Sequence, residues 1–235
     1  MNSRKKFLLV FGFIVLNMFM LVSFLVIRDA TMENELKNEM EYLSKLDITK
    51  DRYNKKTVTR GKYAVVEKSI KKYLDDYHLE LQEVLKLIND KELTTILSFD
   101  NYSTDGPEFT KSLEYLNLSK ETFNKKVDDL INKFGDEEIK NNIYKSTKEE
   151  YYVNLYDNLM FSSNMRSNYN STIELLKSTK SRMNNVYDTS IEVLNFLVLY
   201  KDDWVVEDGE IKFKTQDLYN YYNELISKVS TKKSE

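Results

Sequence analysis

Between residues 62 and 88 the apolar positions are Tyr63, Val66, Ile70, Tyr73, Leu74, Tyr77, Leu81, Val84, Leu85 and Ile88. They recur at steps of three and four, while Lys, Asp and Glu fill the other face. That spacing predicts an amphipathic helix with one buried face, ending near Asn89-Asp90. A short helix, Glu92 to Ser98, is expected next. The stretch FDNYSTDGPEF reads as a loop. Pro107 suits the first turn of the following helix, where a missing N–H costs nothing, and Asp105 with Glu108 resembles a capping box. That helix carries Phe109, Leu113, Leu116, Phe123, Val127, Leu130, Ile131 and Phe134, with Lys120 interrupting the seam and Gly135 placed as its C-cap.

Residues 136–145 read as a short helix or turn. Ser146 with Glu149, or Thr147 with Glu150, opens the next helix, which carries YYVNLYDNLMF. A last long helix uses Ile173, Leu176, Met183, Val186, Tyr187, Ile191, Leu194 and Leu197. It becomes apolar on all sides at VLNFLVLY, which predicts deep cover at that end. The period then changes from 3.6 to 2 in WVVEDGEIKF, and Asp208-Gly209 is a two-residue hairpin signal. Trp204 should face Phe213 and Val206 should face Ile211, all on one side, with Val205 on the other. A two-stranded hairpin is marginal by itself, so its apolar side should close the end of the bundle. An amphipathic helix, Asp217 to Val229, completes the chain.

The run Phe7–Ile27 breaks this alternation, being uncharged throughout and polar only at Asn17 and Ser23. As a helix it would match the hydrocarbon core of a bilayer, and it exceeds the apolar region of a cleaved signal. It is expected to be an uncleaved signal-anchor; the alternative is secretion after cleavage. Arg4, Lys5 and Lys6 precede it with no acidic residue, which predicts a cytoplasmic N-terminus and an extracytoplasmic remainder. Residues 28–47 read as a charged helical stalk, and ITKDRYNKKTVTRG as a linker.

The fold class expected is therefore all-α: an N-terminal transmembrane helix, then an elongated antiparallel helical bundle with one small β-hairpin at about 203–214. The expected organisation is a cytoplasmic stub over 1–6, the transmembrane helix over 7–27 and a stalk and linker over 28–61. The bundle with its hairpin follows over 62–229, and a polar tail over 230–235.

Composition narrows the picture. Five glycines and one proline in 235 residues favour long helices. The net charge is −3, an acidic balance that argues against nucleic acid as a partner. The absence of cysteine excludes disulfides, thiolate catalysis and cysteine metal sites.

Candidate chemistry is thin. The single histidine, His78, sits inside the helix over 62–88 with Leu74, Leu81 and Gln82 at helical spacing, which suits a core-edge position better than catalysis. One histidine and no cysteine disfavour zinc. The acidic pairs Asp75-Asp76, Asp128-Asp129 and Glu149-Glu150 point about 100° apart on helices and read as solvated faces. Asn101-Tyr102-Ser103-Thr104-Asp105-Gly106 resembles the start of a calcium loop, but its twelfth position is Ser112 where a bidentate glutamate is needed. No catalytic, cofactor-binding or metal residue is assigned, no cofactor is expected, and the chain is not expected to be an enzyme.

The segments GKYAVVEKSIKKYLDDYHLELQEVL, DGPEFTKSLEYL and NNIYKSTKEEYYVNLYDNLMF together resemble uncharacterised single-pass membrane proteins with a helical extracytoplasmic domain from low-GC Gram-positive bacteria. The resemblance implies an envelope location and no activity. The functional expectation is a membrane-anchored interaction or scaffold module that binds an envelope protein or itself. The alternative is a ligand-binding or sensor bundle acting through a separate membrane partner.

Overall fold

The computed structural model describes the backbone of residues 3–46 and 56–231, and side chains over 16–46 and 56–229. The helices are α1 (Ser3–Ser44), α2 (Gly61–Ile88), α3 (Lys91–Thr95), α4 (Phe99–Asp105), α5 (Thr110–Asn132), α6 (Asp136–Tyr144), α7 (Glu150–Met160), α8 (Ser163–Leu199) and α9 (Gln216–Thr231). Strands β1 (Trp204–Glu207) and β2 (Glu210–Phe213) form the hairpin. The all-α bundle with a hairpin near its C-terminus is as expected. The chain divides into two compact units, Met1–Asp75 with Ile139–Asn168, and Asp76–Glu138 with Tyr169–Glu235.

The expected membrane span is corrected. No helix among the described residues is long and apolar enough to cross a membrane. Residues 7–15 of the run Phe7–Ile27 lie outside the described side chains. The part of the run whose side chains are described is Leu16 to Ile27. Its side chains, Phe19 at 69% exposure among them, take no part in either core. The membrane partnership, the cytoplasmic N-terminus and the extracytoplasmic location all depended on that span, and they fall with it. Residues 48–55 of the expected linker, residue 47 at the end of the expected stalk, and 232–235 of the polar tail lie outside the described residues.

In the first unit the C-terminal half of α1 buries Leu36, Met40 and Leu43 with Val66 and Ile70 of α2, Ile143 of α6, and Val153 and Tyr156 of α7. The segment expected as a stalk thus contributes to this core. A charged cluster is buried beside it. Lys71 Nζ donates to Glu39 Oε1 at 2.6 Å, Glu67 Oε1 at 2.7 Å and the Lys56 carbonyl at 2.8 Å. Glu67, 1% exposed, also accepts from the backbone N–H groups of Val58 and Thr59 and from the Thr59 hydroxyl. All three ammonium protons are used, which is the condition for burying such a group without a large penalty. Burial by itself would push the Glu67 carboxyl up, but hydrogen bonds from Lys71, Thr59 and Val58 hold it below its ordinary range. Burial would likewise lower the Lys71 ammonium, and Glu39 and Glu67 instead raise it.

In the second unit α5 and α8 run antiparallel, recorded in a ladder of side-chain pairs. Lys120 meets Asp188 at 2.5 Å, Asn124 and Asn184 exchange amide hydrogen bonds at 2.9 Å, and Lys180 meets Asp128 at 2.6 Å. Numbers rise by four on α5 as they fall by four on α8, one helical turn per rung. Lys120, the interruption in the apolar seam, is therefore the first rung. Beneath the ladder Leu116, Phe123, Val127 and Leu130 of α5 are fully buried.

Several local expectations are corrected here. The loop FDNYSTDGPEF contains a helix, α4, capped by the Ser98 hydroxyl and anchored by fully buried Tyr102. The next helix starts at Thr110 rather than at Pro107. Its cap is Asp105 acting from upstream: the carboxylate accepts from the Ser112 N–H at 2.8 Å, the Ser112 hydroxyl at 2.7 Å and the Lys111 N–H at 3.4 Å. The capping box with Glu108 does not form, since Phe109 takes the N-cap position with φ 49°. No side chain caps α7, whose N-cap is Glu149. Finally, α8 begins at Ser163, ten residues before the first apolar position used to place it.

The hairpin forms in the expected register, Trp204 opposite Phe213 and Val206 opposite Ile211. Asp208 and Gly209 have φ of 55° and 76°, the positive values that a type I′ turn requires. Trp204 and Ile211 are buried, and Val205 is exposed on the other side.

Candidate functional site

The α8 sequence is apolar all round near its end, yet only part of it is covered. Val193, Leu194, Phe196 and Leu197 are buried, whereas Leu199 is 73% exposed. On the side of Leu199 lie Asp188, Ile191, Glu192, Asn195, Phe196 and Tyr200, which recur at the one-turn spacing of a single helix face. Helix α9 supplies Asp217, Leu218, Tyr221 and Leu225, again at helical spacing. The two faces enclose an open groove of about 690 Å³ within the second unit.

Packing of α9 is what leaves the groove. Leu225 is fully buried, and the Tyr222 hydroxyl shares a hydrogen bond with that of Tyr102 at 3.1 Å. Those contacts hold one side of the helix while Tyr221, 45% exposed, stands on the groove. The Phe196 ring is central: its centroid lies 5.1 Å from that of Tyr200 and 5.2 Å from that of Tyr221, at interplanar angles of 52° and 57°. Phe196 is itself buried, so the ring surface open to a ligand is that of half-buried Tyr200 and exposed Tyr221.

The polar groups of the groove are unevenly charged. Asp188, Glu192 and Asp217 bring three carboxylates, Asn195 an amide and the two tyrosines phenols, with no lysine or arginine in the lining. Asp188 is paired with Lys120 from outside. Asp217 sits in the first turn of α9, where the helix dipole favours a negative charge. The arrangement can hold an amphiphile, with apolar surface along Ile191, Leu199 and Leu218 and polar contacts at the rim.

Two other cavities differ. One of about 670 Å³ in the first unit mixes Arg28, Arg60 and Lys62 with Asp29, Glu35 and Glu149, and Lys62 is bonded to Glu149 at 2.5 Å. A small one of about 190 Å³ is lined by Asn101, Asp105 and Ser112, which hydrogen-bond one another.

The residues weighed from sequence do not converge. His78 is half-buried on α2, and Asp128 and Glu149 are held by Lys180 and Lys62. The calcium-like stretch is helix α4, with Asp105 turned to the start of α5. Among the described residues no group of three or more His, Cys, Asp or Glu is placed to hold a metal ion. Sequence reasoning missed the groove, although its signal was present in VLNFLVLY, an apolar surface wider than one neighbour can cover.

The resemblance to single-pass membrane proteins of low-GC Gram-positive bacteria is corrected along with the span, because the comparisons give it no support: no protein-family model, no curated protein and no solved structure matches the chain.

Proposed function

We propose that this chain is a ligand-binding bundle that works as a sensor through a separate partner protein, with the α8/α9 groove as the ligand site. The observation that carries the reading is the groove itself: an apolar floor ending in exposed Leu199, a polar rim, and a volume of about 690 Å³. That size and lining suit a small organic ligand. The membrane-anchored scaffold expected from the sequence has lost its anchor and is not carried forward.

Binding would act through α9. A ligand lying across Leu199 and Leu218 bridges α8 and α9, so it binds best when the two helices are docked. Such a ligand shifts the population toward the docked state, which a partner can read. The groove holds carboxylates, an amide and phenols with no nucleophile–base pair, which supports binding rather than turnover.

The test is a titration of the full chain with decyl amphiphiles below their micelle concentrations, followed by the ring resonances of Tyr200 and Tyr221. Saturable shifts that disappear in Leu199→Ser are expected. Absence of saturable shifts at both rings for every amphiphile tried overturns the reading.

A further inference from the structure

We propose that the groove selects a positively charged amphiphile, an alkylammonium whose nitrogen sits against Tyr200 and Tyr221 while its chain runs along Leu199 and Leu218. The inference rests on the ligand-binding reading above and adds the chemical class of the ligand.

Three observations carry it. The first is charge: three carboxylates and no base line the groove. Lys120 neutralises Asp188. Among the described residues Glu192 and Asp217 form no close ion pair; Lys228, bonded to Glu224, also feels the charge of Glu192, which leaves Asp217 as the carboxylate least offset by a neighbouring base. An anionic head group would be desolvated against those carboxylates, a like-charge contact that disfavours binding.

The second is the aromatic set. Tyr200 and Tyr221 each lie within about 5 Å of Phe196, centroid to centroid, and both are tilted against it. The faces of Phe and Tyr attract a cation through the ring quadrupole, and quaternary ammonium groups are recognised in this way because they cannot donate hydrogen bonds. The groove offers the same combination of ring faces and nearby carboxylates.

The third is the apolar floor. Ile191, Leu199 and Leu218 provide a surface that a small inorganic cation would leave uncovered. A polyamine would place further charges on that surface. One charge on one apolar chain matches the layout.

The experiment uses the full chain and three compounds of equal chain length: decyltrimethylammonium, decyl glucoside and decyl sulfate, each below its micelle concentration. Binding is read at the rings of Tyr200 and Tyr221, so that adsorption elsewhere on the chain does not count. The cation is expected to bind at least about tenfold more tightly than the neutral compound, with the sulfate weakest. In the double variant Glu192→Gln with Asp217→Asn the advantage should shrink to about threefold or less, with the glucoside unchanged. Tyr221→Leu keeps apolar contact and removes a ring face, and it should weaken the cation alone; it decides the question if the double variant does not fold. Equal binding of the cation and the glucoside overturns the ammonium assignment and leaves the ligand-binding reading standing. No response at either ring to any of the three overturns both.

Discussion

The indole of Trp204 lies stacked on the ring of Phe109, with centroids 5.9 Å apart and planes 19° from parallel. Its Nε1–H donates to the Leu197 carbonyl at 2.8 Å, and Tyr102 meets it edge-on at 6.3 Å. One side chain of the hairpin is thereby tied to α4, to the start of α5 and to the end of α8. The hairpin closes the second unit; its tryptophan side is not a free edge.

Trp204 fluorescence should therefore be blue-shifted in the native chain and should move red in the same transition that melts the helices. Trp204→Ala should cost about 3–5 kcal/mol, the range for truncating a buried aromatic. Thermal melts followed together by fluorescence and circular dichroism check this. Two separate transitions would show that the hairpin is not part of the cooperative unit.

Gly106 is where these rings close on the backbone. A Cβ there would run into the Tyr102 carbonyl oxygen and meet Phe109 Cζ and Trp204 Cη2 at 3.1 Å each. Gly106→Ala should destabilise by about 1–3 kcal/mol, the usual cost of overpacking. Gly209→Ala meets open space but inherits φ 76°, so its cost should come from backbone strain, about 1–2 kcal/mol. Urea denaturation of both variants measures the difference.

Lys71→Ala should cost about 3–5 kcal/mol, because it leaves Glu67 buried beside Glu39 with no cation. The same cluster predicts a pH dependence. Glu67 titrates lower in the folded chain than its ordinary value of 4.5. Its contribution is thus fully present above about pH 4.5, and it is lost as pH falls through the lower folded value. Denaturation midpoints at pH 7, 5 and 3 should fall on acidification, and Glu67→Gln should flatten that fall.

Asp105→Ala should cost about 0.5–2 kcal/mol through loss of the α5 cap, and Asp105→Asn less, since an amide oxygen still accepts. Equal losses in the two variants, measured by urea denaturation, would assign the effect to packing.

Leu199→Ser should leave stability within about 0.5 kcal/mol, because the side chain is 73% exposed. The same variant should lose the saturable response of Tyr200 and Tyr221 to amphiphiles. A large loss of stability would make Leu199 a core residue and remove the floor of the groove.

By itself, the sequence determined those elements whose pattern is local and regular. Helix α2 follows from steps of three and four sustained over its length, and the hairpin register follows from period-2 alternation around a turn that accepts positive φ. It did not determine α4, which is too short to show a period and exists because Tyr102 is buried, or the first ten residues of α8, where buried Met165 and Tyr169 stand among polar residues. The apolar run at Phe7–Ile27 reads as a span by hydropathy alone, and the described part of α1 does not make one. Glu39, Glu67 and Lys71 look like any solvated charges until α1 and the segment before α2 close over them. Only tertiary structure decided the groove. Hydropathy marks VLNFLVLY as a surface to be covered, but which side stays open is set by where α9 docks. That in turn depends on Tyr222 meeting Tyr102, residues 120 positions apart whose contact no local pattern encodes.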